Sequence, residues 1–186
     1  KWKGRLKKFK PQAAVHLAWE GIPNFSYSQS AKNLQEGLSL FAVLAEVGCK
    51  KIVAMGTGYE FGDRAGRVSE EISIVPASAV TAAKHALHLL GEELAKEKGI
   101  DFVWLRPFRP YGEGQRDESL VSYVTRCVAR GAPIKLKNPL AQGDFIYVGD
   151  VARAIAAAVA RGRGRATYNI GSGKLTSAKD IAKAIC

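Results

Sequence analysis

No stretch of this sequence approaches the roughly 18 consecutive apolar residues needed to cross a bilayer. Nor does an apolar run follow the basic start, as a secretory signal would require. A soluble protein is expected. The three cysteines, Cys49, Cys127 and Cys186, form no close pair and are odd in number. That argues against a disulfide framework or a zinc site and fits a reducing cytoplasm. There is no internal repeat, low-complexity tract or polar linker to divide the chain, and its seven prolines and 19 glycines fall at plausible turn positions. With 186 residues, 47% of them hydrophobic, one ordered domain with a sizeable core is expected.

The formal net charge of +11 favours anionic partners, among them nucleic acid, acidic lipid and phosphorylated metabolites, and does not choose between them. The densest basic run holds Lys1, Lys3, Arg5, Lys7, Lys8 and Lys10, with Trp2, Leu6 and Phe9 at near-helical spacing. One reading is an amphipathic segment for a membrane surface or for phosphates. The reading adopted is a solvated helix that packs its three apolar residues on a sheet.

Short apolar runs alternate with long amphipathic ones, the pattern of strands interleaved with helices. Ala13–Ala18, Lys51–Met55 and Asp101–Arg106 read as buried strands. Between them lie helices over about Ser30–Val47 and Ser78–Lys98, ended by Gly48 and Gly99. Strands joined by long helices imply right-handed parallel crossovers. The fold class expected is therefore α/β, a Rossmann-like doubly wound parallel sheet. Beyond Pro107 the pattern predicts a glycine-rich loop to Gly114, a helix near Glu118–Arg130 and short strands at Ile134–Leu136 and Phe145–Val148. An alanine-rich helix from about Val151 to Ala160, a strand at Thr167–Ile170 and a closing helix from Ser177 complete it. In such sheets ligands bind outside the carboxyl ends of the strands, which directs attention to the residues after Ala18, Met55, Arg106 and Val148.

A set of short motifs occupies those places. They are His16-Leu17-Ala18, Asn33, the loop Gly56-Thr57-Gly58-Tyr59-Glu60-Phe61-Gly62, Arg106-Pro107-Phe108 before Tyr111-Gly112, Tyr147-Val148-Gly149-Asp150 and Tyr168-Asn169-Ile170-Gly171. In this order they resemble the extended short-chain dehydrogenases/reductases of the NAD-dependent epimerase/dehydratase family. The branch most similar is the one acting on nucleotide-activated sugars.

The resemblance implies NAD or NADP as cofactor and a nucleotide-sugar substrate. It implies a catalytic hydroxyl at Thr57, which can donate and accept as carbonyl and alcohol interconvert. The alternative is that Thr57 only caps a strand end. It further implies Lys84 as catalytic residue and ribose ligand; Leu17, Ala18, Asn33 and Phe108 around the cofactor; and Tyr59 and Arg109 against the substrate. The family places a tyrosine four residues before the lysine, where the ammonium lowers the phenol pKa. Here that position is Val80, so either ordinary redox activity is lost or Tyr59, Tyr27 or a water supplies the proton. Gly143 stands where many relatives carry a phosphate-binding arginine, while Arg109 is an added one able to clamp a diphosphate.

The phosphate-cradling glycine fingerprint is absent, as if the sequence began at the family's fourth strand and stopped within its C-terminal substrate lobe, to which residues of about 108–145 and 165–186 would contribute. The helices near 30–47 and 78–98 are those by which resembling enzymes form homodimers. His85 and His88 suggest a metal pair only weakly, because no third ligand lies near in sequence, and no metal is expected. Asp150 is expected to cap a helix. The alternatives to an enzyme are a non-catalytic nucleotide-binding or protein-interaction relative and a basic binding protein. A membrane is not an expected partner, nor is nucleic acid.

Overall fold

Strands covered on both faces carry apolar residues without alternation, and Lys51–Met55 (β2) and Asp101–Pro107 (β3) are buried along nearly their whole length. The computed structural model describes residues 2–62, 64 and 66–186, so Lys1 of the basic run lies outside the described residues. The chain divides into two compact units, one running to Arg106 and including Ala154–Asn169, the other formed by Pro107–Arg153 and Ile170–Cys186.

In the first unit Ala13–His16 (β1), β2, β3 and Arg165–Ile170 (β6) form a sheet in the order β1-β2-β3-β6. The first three strands are parallel, with Ala13 opposite Lys51 and Lys51 opposite Asp101. Side chains alternate between faces. Ile52, Ala54, Phe102 and Trp104 join a core with Phe41 and Leu44 of α2 (Tyr27–Glu46) and Leu87 of α3 (Ala79–Lys98). The opposite face receives the end of α5 (Val148–Arg161). There the Lys51 ammonium donates to the Val159 carbonyl at 2.7 Å, and a Cβ on Gly162 would sit 2.7 Å from Val103. Helices on both faces make the sheet doubly wound.

The caps explain the helix limits. Ser26 accepts from the Gln29 amide, so α2 starts three residues before the expected Ser30. Ser78 and Thr81 form a reciprocal cap on α3, and Gly99 ends it in the left-handed conformation, φ 64°, ψ 41°. Gly37 and Gly91 allow close packing: a Cβ on the first would lie 2.9 Å from Leu87, and on the second 2.5 Å from Phe102. The basic segment is a helix, Trp2–Phe9 (α1), but only Leu6 packs on the core. Phe9 is 77% exposed and Trp2 47%, one at each end of the short helix.

The second unit holds a three-stranded sheet of Arg109–Tyr111 (β4), Gln142–Tyr147 (β5) and Leu175–Ser177 (β7), in which β4 and β5 are parallel and β5 and β7 antiparallel. Two helices accompany it, Leu120–Ala129 (α4) and Ala178–Ile185 (α6), the latter capped by Ser177. Three expectations for this unit need correction, as does the buried strand expected at Ala13–Ala18, since β1 ends at His16 and buries only that residue. Residues 134–136 form no strand, since the Lys135 amide is satisfied by the Tyr123 hydroxyl at 3.0 Å and not by a neighbouring strand. Residues 109–111, expected as loop, form β4 through pairing with β5. Asp150 is not the cap: α5 starts directly from β5 at Val148, so Asp150 sits inside its first turn, where its charge suits the helix dipole and it pairs with Arg153.

Candidate active site

Thr57 and the Lys84 ammonium both lie at the carboxyl end of β2. The Lys84 ammonium reaches back from the second turn of α3 and donates to the carbonyl of Met55, the last residue of β2, at 3.0 Å. It also lies 4.1 Å from the ring centroid of Trp19, a cation–π contact. Lys84 is 9% exposed, and burial pushes its pKa down to about 8, with Glu60 opposing the shift. Its charge in turn adds to burial in lowering the pKa of His16, which ends β1 with its ring edge against Phe41.

Thr57 follows Met55 by two residues and opens a single 3-10 turn, Gly58–Phe61. Its hydroxyl accepts from the Tyr59 amide at 3.3 Å, so the capping role is real. A hydroxyl has two lone pairs and one proton, so this cap leaves the O–H and one lone pair for other partners. Val80 lies one turn before Lys84 on α3, half-buried, and its isopropyl group has no proton to exchange. Tyr59 is 55% exposed beside Thr57, whereas Tyr27 is 81% exposed at the start of α2.

Beneath the turn lies a buried polar network. Glu60 is fully buried; its carboxylate accepts from the Thr57 amide at 2.9 Å, from Trp104 Nε1 at 3.2 and 3.3 Å, and from Arg106 Nε at 2.9 Å. Breaking so buried a pair costs about 3–5 kcal/mol, since the remaining charge is stranded. Gly56 makes the approach possible, for a Cβ there would be 2.2 Å from Glu60 Oε1 and 2.3 Å from Trp104 Nε1.

His88 stacks on Trp104 with ring centroids 4.8 Å apart, and burial with the nearby Arg106 drives its pKa down to about 3. It is therefore neutral. Nδ1 faces Arg106 Nη2 at 3.5 Å, leaving the proton on Nε2, which points to Glu92 at 3.1 Å and Thr167 at 3.2 Å. The third metal-type ligand that the sequence did not reveal is present, as Glu60 comes within 4.8 Å of His85 and His88. Both Glu60 oxygens already accept from donors, and the Arg106 guanidinium lies against both Glu60 and His88, so a cation there would have to displace the ion pair.

Asn33 has the partners that its buried mid-helix position demanded. Its Oδ1 accepts from the Glu20 amide at 2.7 Å, and Nδ2 donates to the Glu20 and Gln29 carbonyls at 3.0 and 2.9 Å. Oδ1 and one amide proton thus hold the segment that carries Trp19, while the other proton returns to the backbone of α2. Leu17 is 54% exposed and Ala18 is also open to solvent just past β1, so core packing explains neither.

In the second unit Phe108 is half-buried, its amide donating to the Ile170 carbonyl at 3.1 Å. Arg109 lies on β4 alongside Gly143 of β5: a Cβ on Gly143 would stand 2.4 Å from both Cδ and Nε of Arg109, whose guanidinium lies over Phe145. The two departures in sequence are therefore one steric event, because the Arg109 side chain fills the space that a side chain at 143 would take.

No sequence pattern singled out Trp19, Glu60, Trp104 or Arg106 for a role at the site. Glu60 had a signal, the Thr-x-x-Glu spacing of a capping box, and residues 104 and 106 share one face of β3 by alternation. Trp19 had none, since it lies in irregular chain.

Known proteins resemble this chain over nearly its whole length. A model of the NAD dependent epimerase/dehydratase family matches residues 2–171. The chain belongs to that family. It is 26% identical to the dTDP-4-dehydro-6-deoxyglucose reductase of Escherichia coli over 183 residues, 94% of this chain and 58% of that protein. With the GDP-6-deoxy-D-mannose reductase of Pseudomonas aeruginosa it shares 26% identity, over 92% of this chain and 61% of the relative. Among solved structures, UDP-N-acetylglucosamine 4-epimerase from Bacillus cereus superposes with a TM-score of 0.90 at 23% identity, covering 98% of this chain and 65% of that one, which shows the Rossmann-like fold. UDP-glucose 4-epimerase from Thermotoga maritima, bound to UDP-glucose, gives 0.83 at 25% identity, with 98% and 64% covered. The chain thus spans about three fifths of the length of these family members. Among the described residues, no helix is long and apolar enough to cross a membrane.

Proposed function

We propose that this chain carries the catalytic end of an NAD(P)-dependent epimerase, dehydratase or reductase acting on a nucleotide-activated sugar. The observation that carries the reading is the convergence of Lys84 and the Thr57 segment on the carboxyl end of β2, where the family's chemistry takes place. The donor set suits a dinucleotide's ribose: Lys84 spends one N–H on Met55 and has no carboxylate ion-pair partner among the described residues, which leaves it free to hold neutral hydroxyls. NAD(P), when bound, supplies the hydride chemistry. Thr57 then polarises the sugar oxygen through its uncommitted O–H, and Trp19 and Met55 hold Lys84 in place.

In the first unit Leu17 and Ala18 are the residues assigned to the cofactor and Tyr59 to the substrate; in the second, the family resemblance assigns Phe108 to the cofactor and Arg109 to the substrate, Arg109 supplying from β4 the guanidinium that Gly143 does not. A homodimer through α2 and α3 agrees with Leu89 and Leu90, which stand about half-exposed on α3.

Val80 favours a second reading, a member of the family that binds nucleotide sugar without turning it over. The same experiment separates the two: conversion of UDP- and dTDP-sugars is followed by chromatography of the products, with NAD(P)H consumption read by absorbance for keto-sugars, in the wild type and in Val80→Tyr. Turnover that appears or rises in the variant supports the assignment of the site, because a phenol four residues before Lys84 restores the proton donor. Nucleotide-sugar binding without turnover in either protein selects the second reading, and absence of binding in both refutes the proposal.

A further inference from the structure

A glutamate that merely completes a capping box can do so at the surface, in water. Glu60 does it with no exposure at all, closed in by Trp104 and Arg106 of β3 below and the Gly56–Thr57 turn above. Burying a carboxylate and a guanidinium is poorly rewarded in stability compared with apolar residues of the same volume. What the arrangement supplies instead is fixed geometry: both carboxylate oxygens accept from donors held in place by the turn and by β3, while Arg106 Nη1 is buried without a hydrogen-bond partner.

Every member of the network is held from a second side. Arg106 lies over the Phe61 ring, at 5.3 Å, and faces His88, which itself stacks on Trp104. Trp104 is a fully buried residue of the central sheet. The carboxylate therefore ties the turn bearing Thr57 to the stiffest part of the first unit. Gly56 is bare, so nothing separates the two.

We propose that Glu60 is a positioning residue of the candidate site, its carboxylate fixing from beneath the backbone from which the Thr57 hydroxyl projects. This rests on the reading of Thr57 as the hydroxyl that meets the sugar. The charged and titratable groups facing Glu60 are Arg106 from β3 and Lys84, His85 and His88 from α3. Lys84 feels the carboxylate as an opposing charge that supports its ammonium.

The test uses the whole chain, with the Thr57 amide and the Lys84 side chain followed by NMR in Glu60→Gln, Glu60→Asp and the double variant Glu60→Gln/Arg106→Met. The double variant removes the guanidinium that would be stranded if the single change prevents folding. Glu60→Asp is one methylene too short, so the Thr57 amide should shift upfield and exchange on the order of ten-fold faster. Glu60→Gln keeps an acceptor for Thr57 but loses the charge. In it and in the double variant the Lys84 titration should move to lower pH, while the Thr57 shift changes less than in Glu60→Asp.

A fall in thermal midpoint with Thr57 and Lys84 unmoved in all three would make Glu60 a core filler and overturn the proposal. Addition of UDP-glucose or dTDP-glucose to the wild type tests the underlying reading separately. If no resonance near Thr57 responds while the variants shift as expected, Thr57 is not the sugar-facing hydroxyl and Glu60 has no substrate site to position.

Discussion

Replacing Lys84 by methionine keeps the length of the side chain and removes its charge, and the consequence for stability depends on pH in a way fixed by the burial of the ammonium. Lys84 has the Met55 carbonyl and the Trp19 face as partners, and its pKa is lowered from 10.5 to about 8. Below pH 8 the amine is protonated in both the folded and the unfolded chain, and the folded state bears the full cost of burying it. Between about pH 8 and 10.5 the unfolded chain keeps a proton that the folded one has released, so stability rises with pH; above that range the amine is neutral in both. At about 1.4 kcal/mol per pH unit, the interval amounts to about 3 kcal/mol.

Urea unfolding of wild type and Lys84→Met at pH 7, 8, 9 and 10 isolates this contribution, because all other titrations are common to the two proteins. The variant should be the more stable at pH 7, and its advantage should shrink by about 2–3 kcal/mol by pH 10. A difference that stays flat would mean that the ammonium is hydrated. One that widens would mean that a carboxylate holds it. Either result refutes the placement of Lys84 described above.

Gly56→Ala places a methyl group 2.2 Å from Glu60 Oε1 and forces the carboxylate away from Trp104 and Arg106. A loss of about 3–5 kcal/mol in urea unfolding and a change in tryptophan fluorescence are expected, and a loss under about 1 kcal/mol would contradict the close approach. Gly143→Val drives Arg109 from its place beside β5. Calorimetry should show UDP binding weakened about ten-fold, the equivalent of about 1.4 kcal/mol, with little change in thermal midpoint; unchanged affinity would remove Arg109 from the proposed diphosphate contact.

Much of the frame is legible in the order of residues. The two crossovers from β1 to β3 follow from apolar runs and amphipathic helices closed by Gly48 and Gly99, signals that depend on neighbours in sequence. Lys51–Met55 has the limits expected of it, and α3 differs by a single residue at its start. The second unit is less legible, because its strands are short and defined by partners distant in the chain. Residues 109–111 are extended only because Phe145–Tyr147 pair with them, and Leu175–Ser177 because residues 142–144 do. No local pattern announces such pairing.

What the sequence determined by itself is the family, the order of strands and helices in the first unit and the identity of two side chains, Thr57 and Lys84, whose polar groups lie at the end of one strand. Burial and charge were decided only in three dimensions. Trp19, 65 positions before Lys84, provides the face on which its ammonium rests, and Glu60, Trp104 and Arg106 close beneath Thr57 from a turn and a strand more than 40 residues apart. Electrostatic energy depends on distance through space and on access to water, and the linear order of residues records neither.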